Sequence, residues 1–139
     1  MEIYLGGGCF WELQNRLDQL EGVMMTVAGY MKDAQGWVEV VKVAYQMPLE
    51  ELLRCYFACH DPTSYNRQGM AVGYAYRSAI YWEEPLQREM ALKVKADLDT
   101  GRPPLTEVLE VTEFVEAPEE ENRLYEKKGI SLKLPEICK

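Results

Sequence analysis

Histidine occurs once in the 139 residues, at His60. That excludes metal sites built from several imidazoles. The four cysteines are Cys9, Cys55, Cys59 and Cys138, and no two stand in a C-x-x-C pair, so no zinc pattern is present. No apolar run approaches the roughly 18–20 residues that a membrane helix needs. The opening residues, Met1-Glu2-Ile3-Tyr4-Leu5, lack the basic, apolar and small-residue zones of a secretory signal. Basic side chains are outnumbered, 15 Lys and Arg against 23 Asp and Glu, for a formal net charge of -8. An acidic chain repels phosphate backbones, so nucleic-acid binding is not expected, and no basic amphipathic stretch suggests a membrane surface. The expectation is a soluble, cytoplasmic, monomeric protein.

What is present is an ordinary globular composition, 47% hydrophobic and 27% charged, with no internal repeat, low-complexity segment or second-domain linker. The length fits one domain with a sizeable core. A disulfide scaffold is not expected at this size and composition, so each thiol reads as either buried or reactive.

Ile3 to Leu5 reads as a short strand ended by three glycines. Phe10, Leu13, Leu17 and Leu20 then recur at helical spacing, up to Gly22. Val23–Tyr30 and Trp37–Tyr45 read as a β-hairpin. Pro48 opens a helix to about Ala58, and His60–Tyr74 is loop-like. Ser78–Trp82 is a strand and Pro85 to about Thr100 an amphipathic helix. Glu107–Phe114 reads as one more strand, and Pro118–Lys128 as a short helix or turn. The order suits an α+β fold: a two-layer α/β sandwich with a ferredoxin-like core, helices packed on a mixed, mostly antiparallel sheet. Residues 1–128 form the expected single domain and 129–139 a mobile tail.

Cys9 stands where a strand ends, three glycines turn the chain and a helix begins. Uncommitted amide N–H groups and the helix dipole at such a place favour a thiolate, which is the reactive form of cysteine. Phe10 and Trp11 beside it offer an apolar wall suited to a thioether. The alternative is that Cys9 is a small buried residue and both aromatics are core. Glu39 sits in a strand with apolar neighbours, and alternation alone allows it to face solvent. Cys55 and Cys59 fall in the apolar pattern of the second helix and read as core. His60, next to Asp61, reads as a packing or loop-tethering residue.

The segment Gly7-Gly8-Cys9-Phe10-Trp11 is similar to the signature of the A-type peptide methionine sulfoxide reductases. Leu20-Glu21-Gly22-Val23, Ala28-Gly29-Tyr30, Val38-Glu39-Val40-Val41 and His60-Asp61-Pro62-Thr63 follow in family order. So do Asn66-Arg67-Gln68-Gly69, Tyr76-Arg77-Ser78-Ala79-Ile80-Tyr81 and Thr106-Glu107-Val108, and the likeness spans roughly residues 3–125. The resemblance implies thiol-dependent reduction of methionine-S-sulfoxide, free or in proteins, without metal or cofactor. By it, Cys9 is the nucleophile, Glu39 the acid, and Tyr76 a donor to the sulfoxide oxygen. Phe10 and Trp11 hold the methyl group, and Trp37 stands at the pocket entrance. Cys9 becomes a sulfenic acid, Cys138 in the tail resolves it, and a thioredoxin-like dithiol restores the enzyme.

Four departures from the family pattern surround the substrate. Glu12 replaces a glycine after the tryptophan, and its charge would raise the Cys9 pKa. The loop between Tyr30 and Gly36 is short and lacks the family's second substrate tyrosine, unless Tyr74 or Tyr65 replaces it. Met70-Ala71 replace Asn-Asp. Trp37 replaces a histidine. These leave two alternatives open: a reductase for a different sulfoxide, or a non-catalytic thiol sensor on the same fold.

Overall fold

A computed structural model describes all 139 residues. In chain order the elements are β1 (Glu2–Gly6), α1 (Phe10–Leu17), β2 (Val23–Asp33), β3 (Gly36–Tyr45) and α2 (Leu49–Ala58). A small hairpin of β4 (Arg67–Gln68) and β5 (Ala71–Val72) follows. The chain then runs through β6 (Ala79–Trp82), α3 (Pro85–Ala96), β7 (Glu107–Glu110), β8 (Phe114–Glu116) and α4 (Leu124–Lys127). Six strands make one sheet in the order β7-β6-β1-β3-β2-β8. Only β6 and β7 pair in parallel. The expected α+β sandwich with a mixed, mostly antiparallel sheet is therefore what the chain forms.

Strand parity explains the two layers, because successive side chains point to opposite faces. Ile3, Leu5, Val41, Val43 and Ile80 join the larger core cluster with Leu13 and Leu17 of α1, Leu52, Leu53 and Tyr56 of α2, and Ala91 and Val94 of α3. Tyr4, Met31, Val38, Val40, Ala79 and Tyr81 form a smaller cluster, against which Phe114 and Tyr74 pack. Glu39 has the parity of Val41 and Val43, which puts it on the helix-bearing face of the sheet.

Several details differ from expectation: α3 ends at Ala96, β2 runs on to Asp33, and the stretch 60–74 read as loop carries the β4–β5 hairpin. The helix begun at Phe10 ends at Leu17, with Asp18 as its C-cap, rather than reaching Leu20. The run Glu107–Phe114 divides into β7 and β8, at opposite edges of the sheet. Between them Val111 N–H donates to Trp82 O, Lys32 N–H donates to Glu113 O, and the Thr112 hydroxyl donates to Lys32 O. The connection thus crosses the sheet and is held on both sides. Residues 130–133 run beside α1, where Asn15 donates to Ile130 O (3.0 Å) and accepts from Leu132 N–H (2.7 Å), and the turn at 136–138 packs on α2.

One buried ionic cluster ties the β2–β3 turn to the segment carrying Tyr76. The Arg77 side chain, 7% exposed, donates to Asp33 at 2.7 Å, to the Tyr74 hydroxyl at 2.9 Å and to Glu107. The Tyr81 hydroxyl donates to the same Asp33 carboxylate. Removing one partner leaves a buried charge unpaired, which costs about 3–5 kcal/mol. Arg77→Met is therefore expected to lower the unfolding free energy by about that amount. Urea denaturation checks this, and an unchanged midpoint would show that the cluster contributes nothing.

Candidate active site

Cys9 is the N-cap of α1, with extended backbone at φ -65 and ψ 125. The turn before it admits no side chains. A Cβ at Gly7 would stand 2.9 Å from the His60 ring, and one at Gly8 would stand 2.8 Å from Gln68 Cβ at a φ of +86. Those close approaches press the Gly7–Cys9 segment against His60 and the β4–β5 hairpin. Burial pushes the Cys9 thiol up. The Trp11 N–H draws it down, the Glu39 carboxylate raises it, and Glu12 acts both ways, its N–H lowering and its side chain raising. The helix N-terminus thus stabilises the thiolate, as its sequence position suggested, but burial and two carboxylates outweigh it.

Glu39 lies under this turn. Its carboxylate accepts from Phe10 N–H at 3.0 Å. Burial raises its pKa, the Phe10 N–H opposes that, and Glu121 adds to it. Tyr30 is directly opposite Glu39 in the β2–β3 register, and so on the same face. The Tyr76 hydroxyl is raised chiefly by the Glu39 charge, with burial and Cys9 adding to it. Tyr30 is raised by burial first, then by Glu121, Glu39 and Tyr76. Cys9, Glu39, Tyr76 and Tyr30 are therefore electrostatic neighbours.

A cleft of about 550 Å³ opens over Cys9. Trp11, Met70, Ala71, Tyr76 and Tyr125 are among its walls, and Glu12, Arg16, Cys59 and His60 also border it. Trp11 packs on Tyr125 of α4 with ring centroids 6.2 Å apart, and its indole N–H has no partner. Met70, at 96% exposure, makes an apolar rim.

Of the residues singled out in sequence, Cys9, Trp11 and Tyr76 line the cleft, and Glu39 adjoins it. Phe10 is instead core, its ring tilted against that of Tyr30 with centroids 5.4 Å apart, so it supports the site from below. Trp37 is 42% exposed on β3, outside the cleft walls. Tyr74 is engaged by Arg77, and Tyr65 is exposed beside another depression, so neither supplies a second hydroxyl. Tyr30 and Tyr125 are the tyrosines that sequence reasoning missed. The signal for Tyr30 was its pairing opposite Glu39, which needs the hairpin register; for Tyr125 there was none.

His60 is a tether. Its Nδ1–H donates to Tyr56 O at 2.8 Å, and its Nε2 faces the Ser78 hydroxyl at 2.7 Å. Ser78 in turn lies 2.6 Å from the Thr106 hydroxyl. Burial lowers the His60 pKa to about 4, so the ring is neutral at neutral pH. It has no free nitrogen with which to act as a base.

The remaining cysteines form a second group. Cys138 is joined to Cys55 by a disulfide, while Cys9 and Cys59 are free thiols. The Cys59 sulfur lies 4.0 Å from that of Cys55, and the three sulfurs lie within 4.8 Å of one another. With two of them bonded, only Cys59 offers a thiol. Cys55 is buried, as its helical spacing predicted, but it is also covalently engaged.

Residues 1–134 match the family described as peptide methionine sulfoxide reductase. The chain belongs to this family. A methionine sulfoxide reductase of Geobacter metallireducens is 35% identical, covering 89% of each chain. One of Chromobacterium violaceum is 43% identical over 68% of this chain and 63% of its own. The solved methionine sulfoxide reductase A of Corynebacterium diphtheriae superposes with a TM-score of 0.79 at 26% identity, over 95% of this chain and 76% of that one. Reduced Mxr1 of Saccharomyces cerevisiae shares the fold, with a TM-score of 0.85 at 24% identity over 97% and 89%. No helix is long and apolar enough to cross a membrane.

Proposed function

We propose that this reductase converts methionine-S-sulfoxide, free or within a polypeptide, to methionine, with Cys9 as the oxygen acceptor. The observation that carries the reading is one arrangement. A thiol at a helix N-terminus shares a cleft with Tyr76 and stands beside a carboxyl whose burial favours its protonated form.

The Cys9 thiolate attacks the sulfoxide sulfur. Glu39 supplies a proton to the oxygen, which is a poor leaving group without it. The Tyr76 hydroxyl donates to that oxygen, and Tyr30 takes the place of the tyrosine missing from the shortened loop. Trp11, Met70 and Tyr125 hold the methyl and thioether by apolar contact. Methionine departs, and Cys9 is left as a sulfenic acid. The domain 1–128 carries these groups. The tail brings Cys138, whose disulfide with Cys55 is the bond that a thioredoxin-like dithiol reduces. Mxr1 has been solved together with Trx2. The cytoplasm, where dithiol reductants hold thiols reduced, is the compartment assigned to the reaction.

Racemic methionine sulfoxide with excess dithiothreitol gives the direct test. Consumption is expected to stop at half conversion, with the S epimer gone. Equal loss of both epimers, or turnover of another sulfoxide alone, would overturn the assignment.

A further inference from the structure

Cys9 and the Cys55–Cys138 disulfide face different openings in this protein. Cys9 lines the 550 Å³ cleft over α1. The Cys55–Cys138 disulfide instead borders a separate depression of about 700 Å³, with Gly22, Met47, Arg54 and Ile137 among its walls. Cys138 is absent from the walls of the Cys9 cleft. Cys59 is the thiol that connects the two places. It borders the Cys9 cleft, and its sulfur lies 4.0 Å from Cys55. The contact of Gly7 with His60 holds the C-terminal end of α2 against the turn that carries Cys9.

We propose that Cys59 is the first resolving thiol, and that it passes the oxidation to Cys55 and Cys138 as an internal relay. The proposal rests on the reading of Cys9 as the oxygen acceptor. The Cys59 thiol attacks the sulfur of Cys9 sulfenic acid, the Cys9–Cys59 bond forms, and the hydroxyl leaves with the Cys59 proton as water. The Cys55 thiolate attacks Cys59, which forms Cys55–Cys59 and releases Cys9 as a thiolate ready for reprotonation. The Cys138 thiolate attacks Cys55, which forms Cys55–Cys138 and releases Cys59. One sulfoxide and two thiols thus give methionine, water and one disulfide. The end point has Cys9 and Cys59 free and Cys55 bonded to Cys138, which is the arrangement observed.

Burial pushes the Cys59 thiol up to about 11, with the Arg16 guanidinium drawing it back. Its attack on Cys9 is therefore expected to quicken as pH rises and more of it ionises. The end state moves the disulfide out of the substrate cleft, so a dithiol can dock while the next sulfoxide binds.

The test begins with fully reduced protein and one equivalent of methionine sulfoxide, without reductant. Samples are quenched by alkylation and their disulfides mapped by non-reducing peptide mass spectrometry. Wild type is expected to show Cys9–Cys59 before Cys55–Cys138. Cys55→Ser should accumulate Cys9–Cys59. Cys59→Ser should leave a Cys9 sulfenic acid that dimedone captures, with Cys55 and Cys138 still reduced. The relay is overturned if Cys59→Ser forms Cys9–Cys138 or Cys55–Cys138 at the wild-type rate. It is equally overturned if Cys55→Ser never shows Cys9–Cys59. Failure of the reductase reading is recognised separately, as wild type releasing no methionine. In that case one equivalent of hydrogen peroxide oxidises Cys9 directly, and the same mapping decides the relay.

Discussion

Replacing Cys9 by serine is expected to lower steady-state methionine formation by about 10⁴-fold or more, the scale on which loss of a nucleophile acts in other covalent catalysts. A hydroxyl at the α1 N-terminus is close in size to the thiol and is favoured at an N-cap. It does not ionise near neutrality, and it cannot accept oxygen to form a sulfenic acid. The variant should therefore fold and unfold as wild type does while turning over no sulfoxide. Dithiothreitol with racemic sulfoxide, quantified as methionine, measures the first effect, and thermal denaturation the second. Retention of more than a few per cent of the rate would place the chemistry elsewhere.

Glu39→Gln has the second-largest expected effect, a loss of about 10²–10⁴-fold, the usual contribution of a positioned general acid. Its sharper signature lies in pH. Turnover requires one proton on Glu39 and none on Cys9, so the active form carries a single proton shared between two sites. Both pKa values are raised, Glu39 above 4.5 and Cys9 above 9.0, in each case chiefly by burial. For wild type, kcat/KM should follow a bell. The acid limb reports addition of a second proton, and the basic limb loss of the last one, with apparent values that belong to the pair. A glutamine stays uncharged, so the basic limb should vanish and the small residual rate should climb with pH as the thiolate forms. The Cys9 titration should also move to lower pH, because the Glu39 charge that raised it is gone. Alkylation of Cys9 by iodoacetamide across pH reads that movement. A bell surviving in Glu39→Gln would remove Glu39 from the role of acid.

Both effects trace to features of different visibility in the sequence. Cys9 was legible because its chemistry is local: a strand end, three glycines and a helix start are contiguous. Glu39 was half legible. Alternation placed it on one of two faces, and only the packing of α1 on Val41 and Val43 decided that its face was covered. Tyr30 and Tyr125 depend on register and on where the last helix returns, which no short-range pattern encodes. For Phe10 the sequence left two readings open, and the structure puts this neighbour of Cys9 in the core once the helix begins.

The fold was legible where periodicity is strong and failed where an element changes partner. The run from Glu107 to Phe114 keeps a β-like pattern throughout. It divides because Val111 to Glu113 must cross from one edge strand to the other. The cysteines show the same limit. The apolar pattern of the second helix put Cys55 and Cys59 in the core, and Cys55 is buried there, but Cys59 is the C-cap of α2, only partly buried and at the edge of the cleft. What covers Cys55 is the turn at residues 136–138, and a separation of 83 residues leaves no trace in periodicity. The departures from the family pattern also acquire physical meaning. The shortened turn places Asp33 in the Arg77 cluster, and Met70 and Ala71 give the cleft an apolar edge where the family carries polar residues.

The central claim is that oxygen passes from a sulfoxide to Cys9. It is tested most directly by treating fully reduced protein with methionine sulfoxide in the presence of dimedone and no reductant. Methionine released and dimedone bound at Cys9 are then counted together in a variant with Cys55, Cys59 and Cys138 all replaced by serine, in which no second thiol remains to resolve the sulfenic acid. One methionine is expected for each labelled Cys9. Methionine released without label at Cys9, or label without methionine, would contradict it.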